Sequence, residues 1–341
     1  MKKALSALLL SFLLLSCTPV ETSSESSLPN GSEPSSEPSS SLIPSPYQEK
    51  SVDVHYVGKK GSAKIRYYGE SEIPYMGVRA YFSMVAQDKA SFSLQKDGDS
   101  YKLKNFLDVE GTFDLKKQTF DSPDFEAFHV TDLKATKEIS RLFWDGLPFV
   151  KPKAVEVDKD PNPFHIDFKN YGISFYADED DVYLPFFTVA DFFRGVDLLG
   201  TAFDGTAIYV YYETLNEEFS AFQNVFRFHE KDPSPEYAQY NYNEICLRYD
   251  LFSGRPGRSS LERYYDLSGG LDAALEKKPL GKAIKGYLQS TDFANYVSGV
   301  YLLNLLVQDG GHSGYYYVPT FHKAPAIYSQ IKTQVNQILN S

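Results

Sequence analysis

The sequence predicts an α+β protein: two related small modules, each built as strand, turn, proline and helix with mixed or antiparallel sheets, then a helical region ending in a Gly-His-Ser turn. Three observations predict it. Alternating, aromatic-rich stretches read as strands, one ten-residue pattern occurs twice, and beyond Gly257 the apolar residues recur at helical spacing. The 341 residues include 26 Tyr and 25 Phe, enough large rings to fill a sizeable core and to exclude wholesale disorder. A formal charge of -11 without any Lys/Arg cluster excludes nucleic acid as the main partner.

The first element is an address. Met1-Lys2-Lys3 precedes an apolar run over residues 4–15, too short to span a membrane and suited to a secretory signal. Leu14-Leu15-Ser16-Cys17 resembles the bacterial lipoprotein signal, in which a leucine three positions upstream and a small residue directly before the cysteine mark it for lipidation. That resemblance implies residues 1–17 as a lipoprotein signal peptide, lipid on Cys17, and a cell-surface or periplasm-facing membrane location through the anchor. Removal of Lys2 and Lys3 leaves 32 basic against 45 acidic side chains, a balance of -13. Residues 18–46 hold eleven Ser, six Pro and four Glu in 29 positions, a composition that stays extended and solvated as a tether.

The repeat comes next. Ile73-Pro74-Tyr75-Met76-Gly77-Val78-Arg79-Ala80-Tyr81-Phe82 aligns without gaps on Leu184-Pro185-Phe186-Phe187-Thr188-Val189-Ala190-Asp191-Phe192-Phe193. Proline fixes its own φ and drives the residue before it toward extended geometry, so each copy should turn from strand to helix at a defined corner. Val78, Tyr81 and Phe82, like Val189, Phe192 and Phe193, fall at i, i+3 and i+4 and should face a sheet. Upstream, residues 63–68 and 172–176 read as strands. Downstream, so do 91–94 with 100–103, and 207–212. The acidic run Asp178-Glu179-Asp180-Asp181 lacks the spacing of a calcium loop and reads as a solvated turn. This places a first module with its connecting segment at 47–165, including a helix at 135–143 and a turn at 158–163, and a second module at 166–253. Cys246 sits in a stretch that alternates, Tyr242 to Leu247, and reads as a small buried side chain.

Residues 254–341 form the helical region, opened by a turn at 254–257. Ser259 and Glu262 have capping-box spacing, Gly269-Gly270 interrupts, and Ser290-Thr291-Asp292 starts a helix whose Val297, Val300, Leu303 and Val307 share one face. Then comes Asp309-Gly310-Gly311-His312-Ser313-Gly314-Tyr315, followed by a further helix at 327–339. This segment resembles the Asp-Asp-Gly-His-Thr segment of the C-terminal-processing and tricorn-type serine peptidases, with Gly310 standing where the second aspartate belongs. The paired proline modules resemble the N-terminal regions of bacterial surface members of that family, and more loosely the N-terminal modules of amine-oxidase type. The resemblance implies His312 as a general base with Ser313 as an orienting hydroxyl. The nucleophile of that family lies far downstream in a separate core, whereas 29 residues follow His312 here. His312 therefore reads either as that base or as a structural histidine at a tight turn.

Other chemistries find no support. His55, His129, His165, His229 and His322 are scattered without metal-ligand spacing, and no nucleophile elbow, phosphate loop or dinucleotide fingerprint is present. No metal and no cofactor is implied. The expectation is a lipid-anchored surface protein that binds a peptide or protein ligand without catalysing its turnover. The alternative is a truncated or split serine peptidase whose core is separately encoded, and a glycan-binding module is a weaker third.

Overall fold

The computed structural model describes residues 46–56, 59–87, 91–130, 161, 163–193, 199–212, 233–252, 259–307 and 333. Outside the described residues lie the signal with Cys17, the tether to residue 45, the expected helix at 135–143 and most of that at 327–339. So do most of the turn at 158–163, the turn at 254–257, and Asp309, Gly310, Gly311, His312, Ser313 and Gly314. The fold is α+β.

A hairpin opens it. Strands β1 (Tyr47–Tyr56) and β2 (Lys59–Tyr68) pair antiparallel, with Tyr47 opposite Tyr68 and Tyr56 opposite Lys59. Strand β3 (Tyr75–Gly77) leads into helix α1 (Val78–Ala86). A meander follows: β4 (Ser93–Asp97), β5 (Ser100–Lys104), β6 (Glu110–Asp114) and β7 (Thr119–Ser122). Its turns are shaped by Gly98 at φ +60° and by Asn105, whose Oδ1 accepts the N–H groups of Leu107 and Val109 at 3.0 Å each. After the short helix α2 (Phe125–Phe128), β8 (Phe164–Asp167) pairs with β7 and completes a five-stranded antiparallel sheet.

A 3-10 turn (Phe168–Tyr171) leads to β9 (Tyr176–Ala177), β10 (Val182–Pro185), helix α3 (Phe186–Phe192), β11 (Leu199–Phe203) and β12 (Ala207–Tyr212). These strands join β1 to β3 in a seven-stranded sheet of order β11-β12-β1-β2-β3-β10-β9. The sheet is mixed because β12 runs parallel to β1, Ala207 opposite Asp53. The strand expected at 172–176 contracts to Tyr176–Ala177. The reason is local: the Gln118 side chain accepts from the Phe175 N–H at 2.7 Å and donates to its carbonyl at 3.0 Å, taking the place of a neighbouring strand.

The two proline copies meet. Strands β3 and β10 pair antiparallel, Pro185 opposite Tyr75, and the Phe186 N–H donates to the Pro74 carbonyl at 2.7 Å. Equivalent rings, Phe82 and Phe193, touch edge to face at 5.4 Å. Antiparallel pairing of equivalent segments relates the copies by an approximate local two-fold axis. Val78, Tyr81, Phe82, Val189, Phe192 and Phe193 are all buried, as their spacing predicts. Helices α1 and α3 lie between the two sheets, where Phe113 and Phe120 of the five-stranded sheet pack on Phe193 at 6.3 and 5.5 Å.

The acidic run is not a solvated turn throughout. Asp181 is 4% exposed and accepts the backbone N–H groups of Arg79, Ala80 and Val182, each at 2.9 Å, so a carboxylate from one copy caps the helix of the other. Gly77 makes room for it, since a Cβ there would lie 2.2 Å from Asp181 Oδ2. Asp178 pairs with Arg66 at 2.5 Å and accepts the N–H groups of Asp180 and Asp181. Charge counting alone cannot distinguish a capping aspartate from a solvated one.

The described residues that follow hold helices α4 (Pro235–Phe252), α5 (Ser260–Tyr264), α6 (Gly270–Glu276), α7 (Pro279–Leu288) and α8 (Phe293–Val307). The capping box at Ser259 and Glu262 is formed, and Asp292 accepts the Asn295 N–H at 2.8 Å. Helix α4 corrects the sequence reading, in which the helical region began at residue 254 and Tyr242 to Leu247 was an alternating stretch. It serves two cores: Tyr237, Tyr240 and Leu247 pack on the sheets, while Tyr242, Ile245, Cys246 and Tyr249 pack on α5 to α8. A helix buried on two sides loses the single apolar stripe, which is why its tyrosines passed for alternation.

Glu244 of α4 is buried beside α3. Its Oε2 accepts from Thr188 Oγ1 at 2.7 Å, and its Oε1 has no hydrogen-bond partner among the described residues. Burial first, then the charge of Asp191, pushes its carboxyl from the ordinary 4.5 up to about 8, against the hydrogen bond from Thr188 and the charge of Arg248.

Two outcomes are expected. Asp181→Ala strands three backbone N–H groups and should lower unfolding free energy by about 2 kcal/mol in urea titrations, with Asp181→Asn intermediate. For Glu244, the folded chain binds the proton more tightly than the unfolded chain, so stability falls as pH rises from about 4.5 to about 8. Glu244→Gln keeps an acceptor for Thr188 and removes the titration. It should melt above the parent at pH 8 by a margin that shrinks toward pH 5; a margin independent of pH would contradict the assignment.

Candidate binding cleft

The catalytic and lipidation residues expected from the sequence lie outside the described residues, and the histidines within them are not gathered into a site. His55 stacks on Tyr209 at 5.0 Å, His129 Nδ1 lies 2.5 Å from the Phe125 carbonyl, and exposed His165 pairs with Asp121 at 2.6 Å. Among the described residues no group of three His, Cys, Asp or Glu side chains is placed to hold a metal ion.

An open cleft of about 790 Å³ lies between the 3-10 turn, α4, the start of α6 and α7. Its floor is one stripe of α4. Gln239, Tyr242, Asn243, Cys246, Tyr249 and Asp250 recur at three- and four-residue steps, and so share a face. Asn170 and Tyr171 of the 3-10 turn form one wall; Gly269, Gly270 and Asp272 form another, with Lys285 and Gln289 at the α7 end. Two glycines let the backbone come close. At Gly172, φ +60°, a Cβ would meet Asn243 Nδ2 at 2.9 Å, and at Gly270, φ +81°, it would meet Asp250 Oδ2 at 2.5 Å.

The polar groups are arranged before any ligand arrives. Gln289 Nε2 donates to Gln239 Oε1 at 3.0 Å, and Gln239 Nε2 donates to Asn243 Oδ1 at 2.8 Å, an amide chain that ties α7 to α4. The Tyr242 hydroxyl donates to Asp272 Oδ1 at 2.5 Å, and Lys285 lies 2.8 Å from both Asp272 and Glu276. Burial would raise Asp272, but hydrogen bonds from Lys285 and Tyr242 hold its carboxyl below the ordinary range. Asp250 differs: burial raises it, and the Leu271 N–H at 2.9 Å and the Tyr171 hydroxyl only partly offset that rise. Burial also pushes the Cys246 thiol up to about 12, so this free cysteine is a poor nucleophile.

A second, smaller groove of about 490 Å³ surrounds Arg66. There the guanidinium is stacked between Tyr47 and Tyr183 at 4.1 and 3.8 Å and paired with Glu49 and Asp178, so its charge is already answered within the fold. The larger cleft, with accessible amides, hydroxyls and carboxylates, has the size and mixed lining of a ligand site. The signal for it in the sequence was the polar spacing on residues 239–250, hidden once Tyr242 to Leu247 within it was read as alternating.

Comparison with family models, with curated proteins and with solved structures returned no match.

The two glycine environments give a paired expectation. Gly270→Ala must adopt a left-handed conformation and displace Asp250, and should lose about 1–2 kcal/mol or more in chemical denaturation. Gly286→Ala, in helix α7 with open space at its Cβ, should gain up to about 1 kcal/mol.

Proposed function

We propose that this chain is a lipid-anchored bacterial surface protein that binds a polypeptide segment in the α4 cleft without cleaving it. Cys17 carries the anchor in this reading, and the Ser/Pro/Glu segment at 18–46 is the tether. The observation that carries the binding reading is the polar stripe of α4 opening on the cleft, with Gln239, Asn243 and Gln289 already joined by hydrogen bonds. Amide side chains offer donors and acceptors together, as each peptide group of a bound strand does. Ordering them in advance lowers the entropic cost of association.

The Asp309 to Tyr315 segment favours a second reading, a split serine peptidase in which His312 is the general base, Ser313 orients it and a separately encoded core supplies the nucleophile.

The full mature chain in detergent micelles, probed with an array of blocked octapeptides, should capture a subset of peptides and leave them intact. Asn243→Leu should weaken capture about tenfold or more. An array on which nothing binds overturns the reading. Hydrolysis that appears only on addition of the separately encoded core, and disappears in His312→Ala, would establish the peptidase instead.

A further inference from the structure

Asp250 stands apart from the other charges of the cleft. Asp272 is answered by Lys285, and Glu262 is held by the capping box at Ser259, where its Oε2 accepts from Ser259 N–H and Oγ. Lys285 is the one cation lining the cleft among the described residues, and it is shared between Asp272 and Glu276. Asp250 has hydrogen bonds from the Leu271 N–H and the Tyr171 hydroxyl, and no Lys or Arg among the described residues pairs with it.

The Asp250 side chain is exposed to the cleft, and hydrogen bonds from neutral donors orient its carboxylate without cancelling its charge. Gly270 gives up its Cβ, at a positive φ, so that Asp250 Oδ2 can sit against the backbone, and Leu271 fixes Oδ1. The carboxylate is therefore held in place on the floor of an open cleft, beside Tyr171 of the wall, where an incoming cation would meet both charge and aromatic surface.

We propose that the cleft selects polypeptide segments carrying a lysine or arginine side chain, whose cation pairs with Asp250. This deepens the peptide-binding reading and rests on it. The formal charge of -11 on the whole chain works in the same direction, drawing basic segments toward the surface and speeding their encounter.

The test uses the full mature chain in detergent and four blocked octapeptides of alanine and tyrosine that differ at one central residue: Lys, Arg, Gln or Glu. Calorimetric or fluorescence titration should show the Lys and Arg peptides binding at least tenfold more tightly than the Gln peptide, with the Glu peptide weakest. The preference should shrink as salt rises from 0.05 to 0.5 M. Asp250→Asn keeps the Oδ1 acceptor for the Leu271 N–H while its amide NH2 can donate to the Tyr171 hydroxyl, and should bring the Lys and Gln peptides to within about twofold of each other. If the parent chain binds the Gln peptide as tightly as the Lys peptide, the Asp250 assignment falls and peptide binding stands. If none of the four binds, both fall. The parent-chain comparison decides the matter even if the variant does not fold.

Discussion

The hydrogen bond from the Phe186 N–H to the Pro74 carbonyl sits at the junction on which the α+β half depends. Each proline lacks an N–H and enforces extended geometry before it, so each segment can offer only a short ladder. Paired with each other, the two segments satisfy that limited set, and both helices leave the junction toward the same layer. The seven-stranded sheet is continuous because β3 and β10 close the gap between the β1–β2 hairpin and β9. Asp181 reinforces the junction from the second copy, and Gly77 in the first is its complement. Repetition here creates an interface between copies within one chain, and the ring cluster around Phe82 and Phe193 follows from it.

Much of this was legible in the residues, and the illegible parts have physical causes. The helical spacing of Val78, Tyr81 and Phe82 survived because α1 has one buried face and one facing away, so periodicity and burial agree. The capping box at Ser259 and Glu262 was legible because it is local, with both partners inside one turn. The capping role of Asp181 was not, because its partners Arg79 and Ala80 lie a hundred positions away and only the pairing of β3 with β10 brings them together. Helix α4 was misread for another reason: with apolar contacts on both sides and polar groups on a third, no simple period remains, and a helix of that kind resembles alternation. The cleft was lost with it, since its floor exists only when residues 239–250 are helical.

The rotation of α4 about its own axis is therefore the variable that connects fold to site. Tyr240 and Glu244, one turn apart, face α3 and are bound there: the Tyr240 hydroxyl accepts the Thr188 N–H at 3.0 Å and shares a 2.9 Å hydrogen bond with its Oγ1, which donates in turn to Glu244. Arg248, one turn further on, pairs with Asp191 of α3 at 3.0 Å. Three successive turns of one face are thus locked to the second proline copy. A step of one residue around the helix axis is about 100°, so this lock dictates that Asn243, Cys246 and Asp250 point toward the cleft.

Thr188 occupies the position that Gly77 holds in the first copy, and the difference between the two residues separates the roles of the copies. Glycine at 77 admits Asp181 and completes a cap, which consumes the polar groups at the start of α1. Threonine at 188 instead presents a hydroxyl and an N–H to α4, so the start of α3 becomes the docking point for the helical region. A duplicated unit whose copies stayed identical would have no reason to bind α4 on one side only. Divergence at Thr188, together with Asp191 where the first copy has Ala80, breaks the local two-fold symmetry, and the contacts of both residues seat α4 with its polar stripe facing the cleft.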